Sequence, residues 1–133
     1  MTEKTNLAVV QAAYAAFGRG DIAGLLEYIS PEVEWDNPGP SSIPWAGSFR
    51  GHDGVQRFFA GLAATVDFES FAPTAFLAEG DRVVVLGSER ARVKRNGVVV
   101  ALHWAHAFTV ANEKITQFRE YTDSAAVAAA LGA

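Results

Sequence analysis

Residues 102–108 read LHWAHAF and set two imidazoles, His103 and His106, beside the indole of Trp104 in an apolar run. An imidazole, with an ordinary pKa of about 6.5, can give or take a proton near neutral pH. Two carboxylates in neighbouring runs could orient that imidazole or share its proton: Glu89 in LGSERARV and Glu120 in FREYTD. Tyr14 and Asn37 could hydrogen-bond a substrate oxygen, and Trp35, Trp45, Phe58, Trp104 and Phe118 could wall an apolar space. Placed acids and bases in a dry cavity suffice for proton transfer, so this chemistry requires no cofactor. A metal is not expected either. His103 and His106 are three apart on a strand and face opposite ways. The chain has no cysteine, and it carries no HExxH, Walker, GxSxG or dinucleotide motif.

The elements that must hold these groups can be read from periodicity. Residues from about Thr5 to Phe17 repeat helically, with Leu7, Val10, Tyr14 and Phe17 inward and Lys4, Asn6 and Gln11 toward solvent. Gly18-Arg19-Gly20 stops that helix, and Asp21 caps a short second one carrying Ile22, Leu25, Leu26 and Ile29. Ser30-Pro31 ends it, and Val33, Trp35 and Asn37 alternate with Glu32, Glu34 and Asp36 as a short strand. Residues 38–51, with prolines 38, 40 and 44 and glycines 39, 47 and 51, predict a loop whose Trp45 and Phe49 fold back over something apolar. A third helix over about Asp53 to Thr65 presents Val55, Phe58, Phe59 and Leu62. Strands near 68–78, 82–93, 98–110 and 114–122 follow, then a short helix near Ser124 to Leu131. Helices first and antiparallel strands later argue for an α+β fold with helices on one face of a curved sheet.

Asn96-Gly97 between two β-rich runs is a strong hairpin signal. A two-residue turn there sets Arg95 opposite Val98, Glu89 opposite Trp104 and Gly87 opposite His106. Val93, Ala91, Glu89, Gly87 and Val85 then share a bulky face with Val100, Leu102, Trp104, His106 and Phe108, while His103 looks out. The glycine would leave open space beside His106. An unpaired buried charge costs several kcal/mol, roughly, so an inward glutamate near an inward histidine suggests a use. In the next hairpin, pairing Val110 with Lys114 puts Phe118 opposite His106 and Glu120 opposite Trp104. A one-residue bulge would instead turn Gln117, Arg119 and Tyr121 inward. We take the first register.

Composition narrows the class. Length 133 predicts one domain spanning 1–133. A net charge of −4 without a basic block argues against nucleic acid as a partner. No stretch reaches membrane-span length, and MTEKTNLAVV lacks the pattern of a signal peptide, so a cytoplasmic location is expected.

The runs VEWDNPGP, WAGSFRGHDGVQRFF, AEGDRVVVLGSERARV, WAHAFTVANEKI and FREYTD resemble the SnoaL-like and ketosteroid-isomerase-related branch of the NTF2-like superfamily. The resemblance runs from YAAFGRGD to REYTD. It implies a cone: helices closing the concave face of a strongly bent, mostly antiparallel sheet around an apolar cavity, often dimeric through the outer sheet face. The fold hosts isomerisation, polyketide cyclisation, dehydration, epoxide hydrolysis and plain binding. Matching the isomerase motif places Asn37 where a carboxylate base would stand, with Asp36 one residue earlier and facing the other way. An amide cannot take the proton. The isomerase's tyrosine position falls near Ala13, next to Tyr14, and its protonated acid position falls at His106, so steroid isomerisation itself is not implied.

Two readings follow. In the first, the chain is a small cofactor-free enzyme on a hydrophobic carbonyl or hydroxylated molecule. His106, Glu89 and Glu120 are its acids and bases, and loss of the imidazole would cost about a hundredfold to ten-thousandfold in rate. In the second, it is a non-catalytic ligand-binding or dimer-forming module whose polar anchors are the same residues. His106 could also be a core histidine satisfied within the protein.

Overall fold

The computed structural model describes residues 2–132. Three helices come early: α1 (Thr2–Gly18), α2 (Ile22–Leu26) and α3 (Gly51–Thr65). Six strands, β1 (Ile29–Asn37), β2 (Gly47–Arg50), β3 (Val66–Glu79), β4 (Arg82–Val93), β5 (Val99–Ala111) and β6 (Lys114–Thr122), form one curled sheet in the order β2-β1-β6-β5-β4-β3. α4 (Ser124–Ala130) closes the chain. Every neighbouring pair is antiparallel except β1 with β6. The fold is thus the α+β cone expected, with α1 packed toward β3, β4 and β5 and α3 across β1.

Local chemistry sets the element ends. Asp21 caps α2 by accepting from the Gly24 amide at 2.8 Å, and Asp123 caps α4 by accepting from Ala126 at 3.0 Å. The segment expected to be a plain loop contains β2, which pairs Phe49 with Trp35. Glycine and proline density concealed that short edge strand. Ile29, expected at the end of the second helix, opens β1. Asn6, expected in solvent, is buried; its amide donates to the Gly80 carbonyl at 3.2 Å while Glu3 accepts from the Gly80 amide at 2.7 Å. These two bonds pin α1 to the β3–β4 turn, which a helical period could not reveal.

Both long hairpins pair differently from the sequence expectation, and both keep the expected faces. Residues 94–98 connect β4 to β5: the Val93 amide donates to the Val98 carbonyl, and the Gly97 amide, at φ 74°, donates back to the Val93 carbonyl. Each pair therefore moves by two positions. His106 lies opposite Val85, Trp104 opposite Gly87 and Leu102 opposite Glu89. The side-chain period of a strand is two, so the inward set survives. The expected open space beside His106 does not. A Cβ on Gly87 would lie 2.3 Å from Cζ2 of Trp104, so that indole fills the place.

In the β5–β6 hairpin Asn112 and Glu113, both at positive φ, make a two-residue turn. A register shift between Thr109 and Val110 then adds one residue on β6. The shorter turn and the bulge cancel in parity. Phe118 and Glu120 face inward, opposite Phe108 and His106, while Arg119 and Tyr121 stand opposite Ala107 and Ala105 on the outer face.

Candidate functional site

Between the inner sheet face and the helices lies an apolar hollow of about 100 Å³. Of the expected site residues, Tyr14, Trp35, Asn37, Trp45, Phe58, Glu89, His106, Phe118 and Glu120 line it. Trp104 does not. It stacks on His106 at 4.0 Å and 13°, with Phe71 on its other side at 5.0 Å and 22°, and so backs the imidazole. The sheet continues the aromatic row: Phe118 meets His106 edge-on at 4.9 Å, and Trp35 stacks on Phe118 at 4.0 Å. His103 is exposed on the outer face. Asp36 also faces outward, accepting from the Ser48 hydroxyl at 2.7 Å.

His106 is buried and both its nitrogens are used. Tyr14 Oη lies 2.6 Å from Nδ1, and Glu120 Oε2 lies 3.1 Å from Nε2. Proton positions follow from the surroundings. Burial, and secondarily the negative charge of Glu120, push the Tyr14 phenol well above its ordinary value, so its hydroxyl keeps its proton and donates to Nδ1. Burial lowers the His106 pKa more than Glu120 raises it, so the imidazole is neutral at pH 7. Its one N–H then sits on Nε2 and donates to Glu120. The rings of Tyr14 and His106 lie within 3° of parallel, which suits the in-plane bond. The result is a one-way line of donors, Tyr14 to His106 to Glu120, running from α1 through β5 to β6.

Glu89 is the second acid at the hollow. Among the described residues its carboxyl has no hydrogen bond or ion pair. Burial, with a smaller contribution from Glu120, raises its pKa to about 8. Glu89 is therefore protonated at pH 7, while Glu120 supplies the negative charge that helps keep it so. Three buried groups on the inner sheet face also have no partner within the protein: the Trp35 indole N–H, the Trp104 indole N–H and both polar atoms of the Asn37 amide. The lining includes no lysine or arginine, and no group of three or more potential metal ligands is present among the described residues.

The sequence reading did not single out Phe17, Phe59, Phe68, Phe71, Thr122 or Ser124 as lining, yet all six are. Phe17 and Phe59 were visible as inward helix residues. Thr122 follows from the same alternation that turns Phe118 and Glu120 inward. Ser124 needed the path of the chain out of β6 into α4.

A curled α+β sheet closed by early helices over an acid-lined apolar hollow defines a class, and comparison with known proteins agrees. The family model of the SnoaL-like domain matches residues 10–118, and the chain belongs to that family within the NTF2-like superfamily. An uncharacterized protein of Mycobacterium tuberculosis is 35% identical over 127 residues, covering 95% of each chain. An NTF2-like protein of Burkholderia xenovorans superposes with a TM-score of 0.90 at 36% identity, covering 98% of each chain. The structure of TerC co-crystallized with polyporic acid gives a TM-score of 0.87 at 29% identity, over 97% of this chain and 99% of TerC. No helix among the described residues is long and apolar enough to cross a membrane.

Proposed function

We propose that this chain is a cofactor-free enzyme that takes a hydrophobic carbonyl compound into the hollow and moves protons on it. The observation that carries the reading is the placing of two carboxyl groups at one apolar hollow: Glu120, held at one oxygen by His106, and Glu89, which has no partner within the described residues. Their surroundings divide the roles: burial keeps Glu89 protonated as the acid, and Glu120, with one oxygen held by His106, is the base. Glu120 takes a proton from the carbon next to the substrate carbonyl, and its electron pair moves into the new carbon–carbon double bond. Glu89 gives its proton to the carbonyl oxygen, forming the enol. Glu120 returns the proton to the same carbon, which is an exchange, or to the far carbon where a second double bond is conjugated with the enol, which is an isomerisation, and Glu89 takes back the hydroxyl proton as the carbonyl re-forms. His106, with both nitrogens engaged inside the protein, is a positioning residue: it holds one carboxylate oxygen of Glu120 through Nε2–H and is itself fixed by Tyr14. Trp35, Phe58 and Phe118 supply the apolar wall, and Trp45 the side nearest the segment before β2. That TerC was co-crystallized with polyporic acid supports a small organic ligand for this fold.

The test uses 2-tetralone, a neutral aromatic ketone with exchangeable hydrogens beside its carbonyl. In D2O the chain should speed deuterium incorporation well beyond buffer, read by NMR. Glu120→Gln and Glu89→Gln should each lower the rate by about a hundredfold or more. His106→Ala should lower it less and shift its pH profile. Tetralone that binds without exchange, or exchange indifferent to Glu120→Gln, overturns the proposal. The outer sheet face, where Leu86 and Tyr121 stay exposed, is proposed as the contact between two copies.

A further inference from the structure

Asn37 ends β1 with 2% of its surface exposed, and neither its Nδ2 nor its Oδ1 has a partner within the protein. Two positions back on the same inner face, Trp35 has an unpartnered indole N–H as well. Leaving such groups unpaired costs stability, and an apolar residue of Leu's shape would avoid the cost. The other buried amide of the chain, Asn6, finds a partner in the Gly80 carbonyl, whereas Asn37 finds none. Asn37 lines the hollow, and so does Trp35, whose ring is stacked on Phe118. A primary amide offers a donor and an acceptor side by side. What satisfies it is the mirror arrangement: an acceptor and a donor adjacent on one edge of the ligand. The flat aromatic row beside it suits a planar ring, and a lining without lysine or arginine, facing the charge of Glu120, disfavours an anion.

We infer that Asn37, backed by the Trp35 indole N–H, is a specificity site that reads the edge of a neutral, planar ligand carrying a carbonyl next to an N–H or O–H. The inference deepens the reading above by naming the ligand's polar edge, and it rests on that reading only for the use of the same hollow. Asn37 touches the ligand and moves no proton. This places the recognised edge at the C-terminal end of β1, beside Glu120, because the parallel register that sets Trp35 against Phe118 and Asp36 against Arg119 carries Asn37 next to it.

The probe is 2-quinolinone, a planar lactam with N–H and carbonyl adjacent. Its controls are N-methyl-2-quinolinone, which keeps the carbonyl and loses the donor, and 2-naphthoate, which is an anion. Isothermal titration should show 2-quinolinone binding at least about tenfold more tightly than either control, because the methylated edge leaves the Asn37 acceptor unpaired. Asn37→Leu should weaken 2-quinolinone by a similar factor, leave N-methyl-2-quinolinone within about twofold, and melt at least as high as the parent chain. Equal binding of the lactam and its N-methyl analogue overturns the inference; that is also what an amide satisfied by water would give. Absence of 2-quinolinone binding, tighter binding of 2-naphthoate, or a lactam affinity untouched by Asn37→Leu overturns it too. Tetralone exchange that persists through any of these results leaves the catalytic reading standing, so the two can fail separately.

Discussion

Replacing Glu89 by glutamine should change the direction in which stability depends on pH. Glu89 has an ordinary pKa of 4.5, taken here as its unfolded value, and about 8 in the fold. Between those values the unfolded chain gives up the proton and the folded chain keeps it. A pKa raised by folding contributes stability that is fully present below the unfolded value and is lost as pH rises through the folded one. Each unit of that interval is worth about 1.4 kcal/mol. At pH 7.5, three units above the unfolded value, the parent chain should therefore lie about 4 kcal/mol below Glu89→Gln in unfolding free energy. At pH 5 the two should agree within about 1 kcal/mol. Urea unfolding of both chains from pH 5 to 8 measures the difference. The lowered pKa of His106 acts oppositely: its contribution is present above the ordinary value of 6.5 and is lost as pH falls through the folded one. That term is common to both chains and cancels in the difference. Two parallel profiles, or a Glu89→Gln chain that is the less stable at pH 7.5, would refute a protonated Glu89.

Further outcomes follow from the packing. Gly87→Ala should cost about 1–3 kcal/mol in urea unfolding, because its Cβ would meet both the Trp104 ring and the Ala72 carbonyl. Trp104 backs the imidazole, so the same change should also disturb the His106 NMR signals. Tyr14→Phe should cost about 1–3 kcal/mol, since it leaves Nδ1 of a buried imidazole without its donor; a neutral effect would mean the 2.6 Å contact carries no weight. Phe118→Ala should cost about 3–5 kcal/mol by opening the row between Trp35 and His106. For the outer face, Leu86→Glu with Tyr121→Glu should halve the mass seen by light scattering without altering the circular dichroism; an unchanged mass would discard that face as a contact.

The sequence made the inner face legible through parity and left the neighbours within it hidden. A two-residue turn at Asn96-Gly97 was the wrong loop, yet an even displacement keeps every side chain on its face, so His106, Glu89 and His103 were oriented correctly. On β6 a turn and a bulge each reversed the face, and together they restored it for Phe118 and Glu120. Neighbours across strands are not protected by parity. Glu120 was expected opposite Trp104 and instead meets His106, which is what makes the carboxylate–imidazole bond possible. The bond from Tyr14 depended on how α1 settles against β5, and no period in the sequence encodes that distance. Asn6 shows the converse: helical spacing assigned it to solvent, and a single carbonyl from the β3–β4 turn made burial acceptable.

Nitrogen-15 NMR of the imidazoles across pH tests most directly whether His106 is a neutral holder of Glu120. The chain has three histidines, and His106→Ala identifies the signals of residue 106. His106 should keep a bare Nδ1 and a protonated Nε2 at pH 7 and should gain its second proton only below the ordinary histidine value of 6.5. An imidazole at 106 that carries its proton on Nδ1, or that titrates at or above 6.5, would contradict the donor line from Tyr14 to Glu120.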